Sequence, residues 1–436
     1  MHNHSNYRYA RKILMVGTFL EYFDLMLYVH MASILNDVFF DPNDSFTQKY
    51  GSAIGFCSTF FLKPFDGIVW GYIGDNFGRT KVLFTSMLLM GTCCITIANL
   101  PAYDQIGVTA SIIVTICRMA QGFASIGEAS SAEIYIAENL SPPKRYFSTA
   151  MVAYAGVIGM VAAMISVKLL ITYKINWRVI FWGATFVAVI GFYTRLKLRE
   201  SPEFLSAKNK LRHLLNIDVN TDKGRKELKN KKLDPMLKVS SFRVKLAYFC
   251  SFCGWPLCFY FSYVYCGDLL KQDCNFTKEM LIHQNFILSL FNLFGLFGWV
   301  YLTKFIHPLK ILKFKLFIYF PFLVTVPFLI TSKDPSIILF VQIMGVVFGN
   351  STIPAKGVFL MHFGTLERFK YSSGLNGFSH LLLYIVTAFG INYFRDLIGV
   401  FGILVISLLL TALFSWGVYE FIKLEKKSGD YVKKML

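Results

Sequence analysis

Charge is scarce in this chain, and negative charge is scarcest. Of 436 residues only 16% are charged, with 26 Asp and Glu against 44 Lys and Arg. Soluble domains carry about 25% charged residues, so there is too little polar surface to dress a water-soluble globule. No G-x-x-x-x-G-K-[ST] run occurs, so there is no P-loop for direct ATP drive. H-E-x-x-H, G-x-S-x-G and clustered His/Cys metal ligands are missing too. Nothing marks an enzyme, and no metal site is expected. The 9 Cys lie mostly in apolar runs, where a free thiol behaves as a small hydrophobe. Cys250-x-x-Cys253 opens a Phe-rich run and reads as packing rather than a redox pair.

What is present is apolar: 55% hydrophobic residues, including 44 Phe. A membrane-spanning helix takes roughly 20 such residues. Runs of that length occur at 13–36, 50–73, 80–100, 107–138, 146–172, 177–195, 246–267, 281–303, 311–331, 336–363, 372–394 and 398–422. The expected fold is therefore all-α and integral to the membrane, with twelve transmembrane helices. With the N-terminus inside, 33 of the 44 Lys and Arg fall in cytoplasmic segments, 7 in outer ones and 4 within spans. This split follows the positive-inside rule and puts both termini in the cytoplasm. It also accounts for the net charge of +18 without nucleic acid. The longest polar stretch divides the chain into an N-terminal six-helix half (1–197), a basic cytoplasmic linker (198–243) and a C-terminal six-helix half (244–436).

Gly71-Tyr72-Ile73-Gly74-Asp75-Asn76-Phe77-Gly78-Arg79-Thr80-Lys81 makes a tight polar turn between spans two and three. Its glycines permit a sharp reversal and close helix approach. Asp75 and Arg79 can pair across it, and Glu138, ending span four at the same face, is a second partner for Arg79. The run matches G-x-x-x-D-x-x-G-R-x-K at every fixed position and resembles the signature loop of the major facilitator superfamily. Further matches are Glu21-Tyr22-Phe23-Asp24, Phe61-Leu62-Lys63-Pro64, Arg118-Met119-Ala120-Gln121-Gly122-Phe123, Gly127-Glu128, Trp177-Arg178 and Glu200-Ser201-Pro202-Glu203-Phe204. In this order they are similar to the metabolite:proton symporter family, most of all to its proline/glycine-betaine members, over about residues 15–205. The second half matches more weakly, through Arg368-Phe369-Lys370-Tyr371-Ser372-Ser373-Gly374. Lys63 stands where relatives carry Arg, and Leu302 stands where a repeat of the loop would carry Asp. The resemblance implies the major facilitator fold, with two six-helix halves related by pseudo-two-fold symmetry. It also implies that Gly71, Asp75, Gly78, Arg79, Lys81 and Glu138 form a cytoplasmic gate.

An ionisable residue at mid-membrane depth is costly, by about 2.5–3.5 kcal/mol on insertion scales, so each one is a candidate. Glu21 lies nine residues past Lys12, about 13 Å deep at 1.5 Å per residue. Asp24 and Tyr28 share its helix face at i+3 and i+7. Two carboxyls one turn apart repel each other, and one that titrates near neutral pH suits proton coupling. Arg118 and Gln121 lie a turn apart in span four, with Glu128 and Glu133 beyond. Arg118 cannot release its charge; it can hold a substrate carboxylate or neutralise Asp24 or Glu21. Lys63 adds a cation, and His380 near Asn376 is a further titratable group. Trp255, Tyr260, Tyr263 and Tyr265 are candidates for a cation–π cage.

The expected protein is a proton-coupled symporter of a small zwitterion, proline- or betaine-like, working by alternating access. It would lie in the plasma (bacterial inner) membrane as a monomer. Its partners would be the solute and the lipid bilayer, with no cofactor besides the proton gradient. Two alternatives stay open: a small (di)carboxylate as substrate, or a transporter-derived receptor that no longer cycles.

Overall fold

The computed structural model describes residues 2–41, 63–196, 198, 200–215, 240–429 and 431. Among these there is helix and no strand. Lipid offers no hydrogen-bond partner, so an apolar run must satisfy its own backbone, and a helix does so within one segment. Among the described residues, seven helices are long and apolar enough to cross a membrane: Arg79–Asn99, Val108–Asn139, Lys144–Leu170, Phe242–Lys271, Glu279–Leu302, Pro308–Ile330 and Gly399–Ser428. The runs at 13–36, 177–195 and 372–394 are helical as well. Of the run at 50–73 only the part from 63 is described.

Two compact units result. The first comprises Met1–Ser141, Met151–Ser240 and Leu360–Gly377; the second comprises Pro142–Ala150, Ser241–Phe359 and Phe378–Leu436. In the first, α1 (His2–Phe39), α2 (Lys63–Phe77), α3 (Arg79–Asn99), α4 (Val108–Asn139), α5 (Lys144–Tyr173), whose opening turns to Ala150 belong to the second unit, and α6 (Arg178–Arg195) follow one another. One core gathers Leu27, Met31, Leu35, Phe39, Ile97, Val114 and Phe181. A second gathers Leu14, Leu83, Ala132, Ile136 and Val152. Trp177-Arg178 has a mechanical task here. Arg178 donates to the carbonyls of Ala98 and Leu100 at 3.1 Å, closing the orphan carbonyl end of α3. The stretch expected as a linker opens with a helix of its own, α7 (Pro202–Leu215); residues 216–239 lie outside the described residues.

In the second unit, α8 (Phe242–Phe252) and α9 (Gly254–Phe259) lead into a π-helical turn, Tyr260–Tyr265, and then α10 (Cys266–Cys274). There follow α11 (Lys278–Leu302), α12 (Pro308–Ile330), α13 (Pro335–Val347), α14 (Arg368–Ile398), whose opening turns belong to the first unit, and α15 (Gly402–Ser428). The apolar run at 336–363 reads as one span, but the structure breaks it: α13 stops at Val347, and regular helix resumes only in short turns from Ile353. Gly349 lies in the break.

Candidate functional site

A closed ring of polar contacts joins three helices of the first unit. Arg118 on α4 donates to Gln121 Oε1 at 2.7 Å. Gln121 Nε2 donates to Cys94 Sγ on α3 at 3.4 Å, and Cys94 Sγ donates to Asp24 Oδ1 on α1 at 3.2 Å. Arg118 Nη1 closes the circuit 4.0 Å from Asp24 Oδ2. All four residues are buried. The helical spacing explains the first link, since positions 118 and 121 sit one turn apart on the same face. Cys94, read from sequence as a small hydrophobe, links Gln121 to Asp24.

Toward the other end of the same helices lies a second charge group. Glu128, buried on α4, pairs with Arg195 and accepts from Ser86 Oγ on α3 at 3.2 Å. Glu21 on α1, also buried, lies within electrostatic range of Arg195. Arg195 also donates to Met87 Sδ. Arg195 was not singled out from the sequence; the structure buries it, 3% exposed, as the last residue of α6. Its position at the very end of the apolar run 177–195 was the available signal.

The polar turn and the stretch 200–204 form one network. Arg79 is fully buried. It donates to Gly74 O and Thr365 O at 2.6 Å and to Glu138 Oε1 at 2.9 Å, and lies 3.4 Å from Asp75. Its guanidinium stacks on the Phe204 ring, 4.5 Å from the centroid. Glu138 also accepts from Arg368 at 2.9 Å and from Ser201 Oγ at 2.5 Å. Arg368 in turn pairs with Glu203 at 3.0 Å. Glu200 accepts from Thr80 N at 3.1 Å and Thr80 Oγ1 at 2.7 Å, covering the start of α3 with a carboxylate, the sign a helix N-terminus prefers. Gly78 holds φ +113 between them, and a Cβ there would collide with the Glu200 carboxylate. At Gly71 a Cβ would sit 2.5 Å from Lys370 Cα, so only glycine lets α2 reach the start of α14. Lys81 stays exposed, with its ammonium 5.4 Å over the Phe77 ring. Every residue of Glu200-Ser201-Pro202-Glu203-Phe204 except the helix-starting proline thus grips this network.

Asp75 lies just past the apolar run 50–73. It accepts from Phe369 N at 3.2 Å and Lys370 N at 2.9 Å. Burial raises its carboxyl to about 6, against the pull of the Arg79 guanidinium and the two amides; Glu138 raises it slightly further. In the unfolded chain the group titrates near 3.9. The fold therefore binds the proton more tightly, and stability falls as pH rises from about 4 through 6, by about 3 kcal/mol in all. Melting curves between pH 4 and 8 should show this fall in the wild type and a flatter course in Asp75→Asn. Parallel curves for the two proteins would remove Asp75 as the cause.

The remaining candidates are dispersed. Glu133 is buried on α4, two turns before the end of the helix. His380 lies half-buried on α14, in the second unit. The side chains of Tyr28 and Lys63 lie outside the described residues. In the expected aromatic cage, Tyr263 stacks on Phe259 at 5.0 Å and Tyr265 on Phe261 at 5.8 Å. The Tyr265 ring already carries the Arg395 guanidinium at 5.5 Å. No cluster of three or more metal-ligating side chains occurs among the described residues.

Comparison with known proteins adds the following. The family profile of the Major Facilitator Superfamily matches residues 14–368. The proline/betaine transporter of Escherichia coli K12 is 33% identical over 203 residues, which is 45% of this chain and 41% of that one. A metabolite transport protein of Haemophilus influenzae is 34% identical over 220 residues, 48% of this chain and 49% of that one. The matched part thus spans under half of each of these relatives. Among solved structures, the proton:xylose symporter XylE of E. coli superimposes with a TM-score of 0.74 at 16% identity, covering 96% of both chains. The E. coli fucose:proton symporter FucP gives 0.66 at 10% identity, covering 96% of this chain and 99% of that one.

Proposed function

Since the chain belongs to the Major Facilitator Superfamily, an all-helical fold embedded in the membrane by many apolar spans, we propose that it is a secondary active transporter. It carries a small zwitterion of the proline or betaine class in symport with protons, by alternating access. The observation that carries this reading is a cluster of buried charge. Glu21, Asp24 and Glu128 are all buried; Asp24 lies beside Arg118, Glu128 pairs with Arg195, and Glu21 lies in range of Arg195. Carboxyls this buried and this close to one another favour holding a proton among them, because burial and a neighbouring like charge both disfavour the ionised form. Releasing that proton when the site meets the other compartment is what coupling requires. The Asp24–Arg118 pair offers both signs to a zwitterion, and the relatives named as proline/betaine transporters favour that class.

The network around Arg79 and Glu138 is the cytoplasmic latch in this reading, broken and remade as the two halves rock. Both termini are cytoplasmic, the membrane is the plasma membrane (in bacteria the inner one), the protein works as a monomer, and it is not an enzyme. The proton gradient drives it without a cofactor.

Uptake into proteoliposomes tests the proposal. Under an imposed proton gradient the wild type should accumulate proline or glycine betaine above equilibrium. Glu21→Gln and Asp24→Asn should each bring accumulation down to the equilibrium level. If both variants still concentrate the solute, span one is not where protons couple. If wild-type protein accumulates no amino acid, betaine or organic acid, the transport reading itself fails.

A further inference from the structure

Helical geometry fails at two places in the second unit, and the two failures meet. Within a membrane span, non-helical backbone is tolerated where it is buried in protein or lines a polar cavity, and π-turns concentrate at functional sites. Here α13 ends at Val347, and the chain runs non-helically through Phe348–Thr352. The π-turn Tyr260–Tyr265 interrupts the span that begins with α8. Side chains take up the released backbone groups. Trp299 Nε1 donates to Val347 O at 2.9 Å. Gln342 donates to Ser262 O at 2.6 Å, oriented by Gln284, also at 2.6 Å. Asn350 N donates to Cys258 Sγ at 3.3 Å, joining the break to the helix that enters the π-turn.

Next to this junction stands a charge with no counter-ion among the described residues. Cys258 Sγ lies 3.6 Å from Tyr319 Oη, and Lys315 is one turn before Tyr319 on α12. Lys315 is 2% exposed. Its ammonium has no hydrogen-bond partner and no carboxylate within ion-pair distance among the described residues. It lies 5.9 Å over the Trp299 ring, and the Cys258 thiol is the titratable group in its electrostatic range. A π-face compensates a buried ammonium only in part. On the other side of Cys258, Asn350 donates to Thr411 at 2.9 Å but leaves its own Oδ1 without a donor. The junction therefore keeps one cationic donor and one neutral acceptor unused. Lys315 lies four residues into the apolar run 311–331 and is buried among these groups.

We propose that Lys315 is an anion-binding residue whose ammonium receives the carboxylate of a small solute beside the break at Phe348–Thr352. The ligand class follows from the surroundings: a single cation among uncharged Cys258, Tyr319, Asn350 and Thr411 balances a monoanion and not a phosphate. The identity of that solute as the transported one rests on the transport reading above, but the site itself does not.

Melting curves of the full-length purified protein test it, because a ligand that binds only the folded state raises the melting temperature. Propionate should stabilise the wild type, whereas propionamide of the same shape should not. In Lys315→Met the propionate affinity should fall at least tenfold while the unliganded melting temperature holds or rises, and Lys315→Arg should keep part of the affinity. A wild type that does not prefer propionate to propionamide overturns the proposal, whatever the variants do. So does a folded Lys315→Met with unchanged propionate affinity. Accumulation of a solute lacking a carboxylate, together with no propionate effect, would leave transport standing and remove the site. Propionate binding lost in Lys315→Met, with no uptake of any solute, would do the reverse.

Discussion

Glu138→Ala is expected to lower the stability of the purified protein by about 3–5 kcal/mol, the cost of breaking a buried ion pair by deleting one partner. One carboxylate here serves Arg79, Arg368 and Ser201 at once. Its loss strands two guanidiniums that are 0% and 2% exposed. Arg79 keeps the carbonyls of Gly74 and Thr365, and Arg368 keeps Glu203, so the remaining network resists but does not neutralise. Glu138→Gln should fall between, since it retains an acceptor oxygen without the charge. A cycle with Arg368→Gln should show non-additive losses, as expected for residues in one network. Chemical denaturation in detergent reads all of these. Additive losses of under about 1 kcal/mol each would mean that the network is as weak as an exposed surface pair.

Arg195→Met should have the largest effect on coupled transport. It removes the cation that Glu128 contacts and that Glu21 feels. Glu128 must then keep a proton to remain buried. Accumulation under a proton gradient should drop at least tenfold, while solute exchange without a gradient persists. Stability should fall by about 3–5 kcal/mol, as for any broken buried pair. Adding Glu128→Gln should recover part of that loss, because both charges then leave together. Uptake by Arg195→Met at the wild-type level would sink this role.

The sequence exposed the network of contacts around Arg79 well and the buried charges unevenly. Asp75, Arg79 and Glu138 carry fixed spacings, and their partners lie where helix ends meet, so a pattern of residue types was enough. The span-one carboxylates stood out because charge in an apolar run is rare. Arg195 and Lys315 escaped for the opposite reason: each sits at or near the border of an apolar run, where charge is expected. Counting by loop cannot tell a lysine that faces solvent from one folded inward. The roles of Cys94 and Ser201 depend on which helices meet, which no local pattern encodes. The break at Phe348–Thr352 was hidden because its composition stays apolar enough to continue the run, and only Gly349-Asn350 hinted at an interruption.

The stretch between Arg195 and Glu200 has a mechanical consequence. Five residues drawn taut reach at most about 17 Å. At one end is the guanidinium held by Glu128; at the other is the carboxylate clasping Thr80. That length caps how far the α6 terminus can move from the clasp before it pulls on it. In the proposed transport cycle, the buried charge group and the network at the rim would be tied to each other along this single piece of backbone.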